Sequence, residues 1–267
     1  MKKIFFSIVL FCLISLGASA AVMILEGNYQ GKNLYVQNPF TTTGVGFCVF
    51  EVTVNGQVTT DEINSSAFEI DFKNFQLKLG DKVEVKIKHR DDCKPKVLNP
   101  EVLKPKSTFE VLAMNMDKEG TLKWSTKGET GKLPFIIEQF RWNKWVKVGE
   151  LEGNGTLDAN QYSFKVVPHT GKNQFRVKQV DYTGQPRLSK PVDFISSSPE
   201  ISFMPIKVSK EIEFVSGNSP VETMFEIYDQ YGNIVKKGFA SKVDATNLQK
   251  GVYYLNYDNK MADFIKK

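Results

Sequence analysis

The chain of 267 residues is poor in the side chains from which most reactive centres are built. It has two histidines, His89 and His169, and three cysteines, Cys12, Cys48 and Cys93. A zinc site takes three or four His, Cys or carboxylate ligands at short spacings, and the sequence offers one His and one Cys close together. Asp91-Asp92 lies beside them, but no Asp-x-Asp-x-Asp-Gly loop of the calcium-binding kind accompanies it. Glycine patterns that cradle phosphates are missing, as are Gly-x-Ser-x-Gly and His-Glu-x-x-His. No cofactor and no metal are therefore expected. The 35 basic and 30 acidic residues give a mild net charge of +5, with lysines scattered along the chain. A nucleic-acid interface needs a basic stripe with interleaved aromatics on one face, and none is present.

Long apolar runs are lacking too, with one exception. Met1-Lys2-Lys3 is a positive start, Ile4 to Leu16 is almost wholly apolar, and Ala18-Ser19-Ala20 supplies small residues at alternate positions. This is the pattern of a cleaved export signal over residues 1–20. The run is too short for a membrane span, which needs about 20 residues. No cysteine follows the expected cut, so Cys12 is not a lipid-bearing residue, and no membrane span is expected elsewhere. Loss of the leader leaves Cys48 and Cys93. An even count in an exported chain predicts a disulfide between them, the alternative being two separate thiols.

What is abundant is alternation of apolar and polar residues over short runs, bounded by Gly, Asn, Asp and Pro, which predicts strands. We expect an all-β protein of three consecutive immunoglobulin-like sandwiches, over residues 21–105, 106–198 and 199–267. In the first, Phe47 to Val54 ends at Asn55-Gly56, a strong hairpin signal because a type I′ turn needs positive φ at both central residues. Phe68 to Phe72 and Val83 to Lys88 alternate cleanly, and Lys94 to Lys106, rich in proline and lysine, reads as an extended linker. The second block has turn signals about every ten residues, the spacing of a seven-strand sandwich. The third is short for a self-sufficient core and is expected to lean on its neighbour.

Few residues are candidates for chemistry. His89, Asp91, Asp92 and Cys93 are expected to share one solvated turn, where neighbours point apart rather than converge on one bond. His169 reads as a surface residue at a turn, and Gly149 to Gly155 as a loop. Glu110, Glu138 and Glu226 are expected on the polar faces of strands, unlike the two inward carboxylates of a glycosidase. Phe140, Trp142 and Trp145 are candidate surface-recognition residues, with a surface glycan as one class of ligand.

The last block resembles the C-terminal sorting domain of proteins exported by the type IX secretion system of Bacteroidetes. The resemblance is carried by "FEIYDQYGNIV" from Phe225 to Val235, by "NLQKGVYY" from Asn247 to Tyr254, and by the basic end Phe264-Ile265-Lys266-Lys267. Its motif residues here are Tyr228, Asp229, Gly232, Leu248, Gly251, Tyr253 and Lys266. Gly251 is expected to allow a sharp turn, after which Leu248, Val252 and Tyr254 enter the core. The chain departs from the family at its usual Pro-Asn-Pro opening, which here reads Phe203-Met204-Pro205-Ile206. The middle block resembles a fibronectin-III-like module over Leu122–Glu129, Phe135–Phe140, Trp145–Gly155 and Phe175–Gly184. That likeness implies Trp124 as the plug between sheets and Tyr162 near a corner between strands.

These readings point to an exported, non-catalytic binding or adaptor protein, a type IX passenger or accessory component. Its expected partners are the secretion or attachment machinery or other envelope proteins. Its expected place is the cell surface, or the periplasmic side of the outer membrane if the last domain is retained. The alternative is a carbohydrate-active or other hydrolytic enzyme of the envelope.

Overall fold

A computed structural model describes residues 20–267. The expected leader lies outside the described residues except for Ala20, which opens the first strand. The chain is all-β, with several sheets arranged as immunoglobulin-like sandwiches. Among the described residues the only helical elements are two short 3₁₀ turns, Phe72–Phe75 and Pro100–Leu103, and no helix is long and apolar enough to cross a membrane. Two compact units form, one ending at Lys104 and one running from Pro105 to Lys267.

The first unit contains β1 (Ala20–Asn28), β2 (Leu34–Gln37), β3 (Val49–Val54), β4 (Gln57–Val58), β5 (Ala67–Ile70), β6 (Lys82–Arg90) and β7 (Lys96–Val97). One sheet has the order β1-β6-β3-β4 and the other β5-β2-β7. In β6 the period of two sends Val83, Val85 and Ile87 inward onto Leu34, Val52, Ile70 and Phe72. Asn55 and Gly56 take positive φ (49° and 82°) and join β3 to β4 as the hairpin signal predicts. Cys48 and Cys93 are joined in a disulfide with Cα atoms 5.8 Å apart.

Two expectations for this unit need correction. Lys94 to Lys106 is not a linker: Val97 pairs with Val36 in β7, and Pro100 opens a 3₁₀ turn that buries Leu103 against the core. Asn99 locks the segment down, accepting from the Tyr35 amide (2.8 Å) and donating to the Asn33 carbonyl (3.0 Å). The apolar Val97, Val102 and Leu103 between the prolines outweigh the linker-like composition, because burial rewards them wherever the chain can reach the core. His89 is also not in a solvated turn. It ends the inward row of β6, is buried, and places Nδ1 2.9 Å from the Arg90 carbonyl oxygen.

The second unit begins with β8 (Glu110–Met116), β9 (Thr121–Lys127), β10 (Pro134–Arg141), β11 (Lys144–Glu152), β12 (Asn160–Lys165), β13 (Gly171–Val180), β14 (Pro186–Leu188) and β15 (Val192–Ser196). A β12-β9-β8 sheet packs on a β11-β10-β13 sheet whose far edge is shared by β14 and β15, a fibronectin-III-like order. Trp124, Phe135, Tyr162 and Phe175 fill the space between the sheets, with Trp124 stacked on Tyr162 at 5.2 Å. Tyr162 lies within β12 rather than at a corner, because its ring belongs to this aromatic core. The glycine-rich Gly149–Gly155 is loop only in its second half. Gly149 to Glu152 continue β11, and a Cβ at Gly149 would come within 2.1 Å of the Phe164 ring, so glycine admits that ring.

The unit continues with β16 (Ser202–Met204), β17 (Lys207–Val208), β18 (Glu211–Ser216), β19 (Ser219–Pro220), β20 (Thr223–Tyr228), β21 (Ile234–Ala240), β22 (Lys242–Asp244), β23 (Gly251–Tyr257) and β24 (Lys260–Lys266). A β17-β24-β23-β20-β21 sheet faces a smaller one in which β18 pairs with β16, β19 and β22. Their core holds Ile212, Phe214, Phe225, Ile227, Leu255 and Phe264. The expected register of β23 is wrong by one residue. Gly251 pairs with Lys266 and Tyr253 with Phe264, so Tyr253, Leu255 and Tyr257 are buried while Val252 and Tyr254 are exposed. A slip of one residue exchanges the two faces of a strand, and the fully buried Phe264 on the partner decides which face goes in.

Candidate functional site

Glu226 and His169, which sequence reading placed on wet surfaces, lie where the two sandwiches of the second unit meet. The β10–β11 hairpin turns on Trp142 and Asn143, both at positive φ (54° and 59°). A left-handed tryptophan costs about 1–2 kcal/mol in backbone terms, and here the ring is buried in compensation. The turn delivers two cations, Arg141 and Lys144, to the face of the last sandwich. Lys144 Nζ donates to Glu226 Oε2 (2.7 Å) and to the Tyr228 hydroxyl (2.8 Å), while Tyr228 donates to the same carboxylate. The ammonium also lies 5.9 Å from the Trp142 ring and 5.6 Å from that of Tyr228, within cation–π range.

Arg141 is buried and reaches the Asp258 carbonyl oxygen (3.4 Å), with a further bond to the side chain of Gln139. Burial pulls its pKa down to about 10, and the charge of Asp258 only partly opposes this. Gln139 donates to Asn173 (2.6 Å), and Asn173 closes the turn around His169 by accepting its amide (2.9 Å) and donating to its carbonyl (2.9 Å). On the far side Asn259 donates to the Thr170 carbonyl (2.8 Å). Two buried donors of this cluster, Arg141 Nε and Trp142 Nε1, have no hydrogen-bond partner among the described residues.

His169 is thus buried at the joint and not a surface residue. Burial lowers its pKa, and the Arg141 charge adds to the effect. Glu138 and Glu226 are likewise buried rather than on wet faces, because each is covered by cations. Glu138 sits between Arg176 (2.7 Å) and Lys178, and Arg176 stacks over Trp145 at 4.1 Å. Burial pushes both carboxyls up, but hydrogen bonds from the flanking lysines, with Arg176 for Glu138 and Tyr228 for Glu226, outweigh it and leave both below the ordinary range. A carboxyl so held is a poor proton donor and a good structural tie. Glu110 is exposed in β8, as expected.

The aromatic trio does not form a surface platform. Trp142 is buried in the joint, and Phe140 and Trp145 face each other edge-on across the hairpin at 5.4 Å, half-buried. The motif residues of the last sandwich serve its turns. Asp229 accepts from the amides of Tyr231 and Asn233 (2.9 Å each), and Gly232 completes the turn at φ 83°. Leu248 packs against the core, Tyr253 donates to the Gln249 carbonyl (3.0 Å), and Lys266 is buried at the end of β24. Tyr228 alone of this set reaches the joint.

Sequence reading missed Glu129 altogether. It is buried and accepts from Thr126 (2.5 Å), the Tyr162 hydroxyl (2.8 Å) and the Gly155 amide (2.8 Å). Its donors come from three chain segments, so nothing local signals it. Among the described residues no group of three or more His, Cys, Asp or Glu is placed to hold a metal ion.

The chain matches no protein-family model. No curated protein matches it in sequence. Solved structures that align with the chain include a tetra-tandem repeat from the extending region of a large adhesion protein, at 10% identity and TM-score 0.31, covering 92% of this chain and 73% of that one. Chicken CNTN1 FN1–FN3 domains align at 12% identity and TM-score 0.26, covering 91% and 98%. Dimeric latent PorU from Porphyromonas gingivalis aligns at 10% identity and TM-score 0.24, covering 92% of this chain and 31% of that one.

Proposed function

We propose that this chain is an exported, non-catalytic adaptor that holds envelope proteins together, with its last sandwich acting as a sorting or attachment domain of the type IX kind. The observation that carries the reading is the joint. Lys144 is ion-paired with Glu226 and Arg141 is bonded to the Asp258 carbonyl, and these contacts tie two sandwiches into one unit. An adaptor needs this, since fixed spacing between modules lowers the entropy lost when partners bind. The Cys48–Cys93 disulfide supports an oxidising compartment and hence export. The ordered Asp229–Gly232 turn and the buried Tyr253 and Lys266 support the sorting-domain likeness.

Two measurements test this reading. Cell fractionation with mass spectrometry of the mature chain separates a passenger, which loses the last sandwich and reaches the surface, from a retained component with an intact C-terminus. Cross-linking in intact cells should then capture envelope proteins. A purely cytoplasmic chain, or a hydrolytic activity abolished by one carboxylate substitution, would overturn it.

A further inference from the structure

Among the described strands β11 pairs only with β10, so its outer edge presents backbone N–H and C=O groups over the nine residues Lys144–Glu152. Such an edge is a template for another strand. Before it lies a groove of about 630 Å³, walled by Val146, Lys147 and Val148 of β11 and by Met224, Lys237 and Phe239 of the last sandwich. Met224 pairs with Phe239 and Glu226 with Lys237, so these side chains share the face of their sheet opposite the core residue Phe225. Phe239 is 46% exposed there, an apolar floor beside an open edge. Among the residues that line the groove, Glu226 is matched by Lys144 and Lys147 by Glu150, while Lys237 makes no ion pair among the described residues.

We propose that an extended segment of a partner protein adds to β11 as a further strand, laying alternate apolar side chains on Met224 and Phe239 and a carboxylate on Lys237. Main-chain bonds to the edge provide affinity, and the floor and the lysine provide selection. The bulge at Val148, where the β10–β11 register shifts, limits the ladder to short runs, which suits a reversible contact. This inference rests on the adaptor reading and names the chemistry of one partner.

The probe is a fluorescein-labelled nonapeptide with Val, Val and Glu at successive alternate positions on one face and Ser on the other, titrated into the mature chain by fluorescence anisotropy beside a Val/Lys peptide in which Lys replaces that Glu. Saturable binding is expected, about tenfold weaker for the Val/Lys peptide or with Phe239→Ser, and K237E should reverse the Glu/Lys preference. N-methylation of one alternate set of peptide amides should abolish binding, and of the other set should leave it unchanged, because only one edge of an added strand faces β11. No saturation below about 1 mM, indifference to both methylated sets, or equal affinity for the two peptides would each overturn the proposal. Such a failure leaves the adaptor reading to fractionation and cross-linking, which do not depend on this groove.

Discussion

Removing the Cys48–Cys93 bridge should destabilise the first unit selectively, and the size of the effect follows from chain length. The cystines are 45 residues apart. Cross-linking a loop of that size removes about 13 cal/mol/K of entropy from the unfolded chain, or about 4 kcal/mol at 25 °C. A domain of this size loses about 4–8 °C in Tm per kcal/mol, so the midpoint should fall by about 16–32 °C. Cys48 is fully buried, so substituting it would add a packing cost, whereas Cys93→Ser opens the bridge at its half-buried end. Scanning calorimetry of that variant should show one transition moved down and the transition of residues 105–267 unmoved. A shift below about 5 °C, or an equal shift of both transitions, would refute the loop-entropy argument and the independence of the two units.

Other outcomes follow from the second unit. Lys144→Met should cost about 1–2 kcal/mol in urea unfolding, less than a fully buried pair because the lysine side chain is 42% exposed, and adding Glu226→Leu should recover most of the loss; strict additivity of the two would deny the tie. His169 has a lowered pKa in the folded chain, so its contribution is complete above the unfolded value near 6.5 and is lost as pH falls through the lower folded value. The Tm of the second unit should therefore drop from pH 7 to pH 5, and His169→Gln should flatten that slope. Gly149→Val drives a methyl-bearing carbon into the Phe164 ring and should cost about 1–3 kcal/mol or more by chemical denaturation, while an unchanged midpoint would refute the packing account. Tyr162→Phe leaves the buried Glu129 carboxylate short of a donor and should cost about 1–3 kcal/mol by the same assay.

The sequence by itself determined the class of the fold and the places where strands turn. Period-two alternation in Val83–Ile87, positive-φ residues at Asn55-Gly56 and the even cysteine count act within or between short stretches, so they can be read without knowing the neighbours. The strands and turns of the last sandwich were legible as motif, but not the register of β23, since which of its faces is buried depends on Phe264 across the ladder. Only the tertiary structure decided the fate of the charged and polar residues. Glu138, Glu226, Arg141 and His169 look solvent-directed in isolation, and they are buried because counter-charges and hydrogen-bond partners arrive from strands tens of residues away. A buried charge is stable only with its partner, and the partner is a property of the fold.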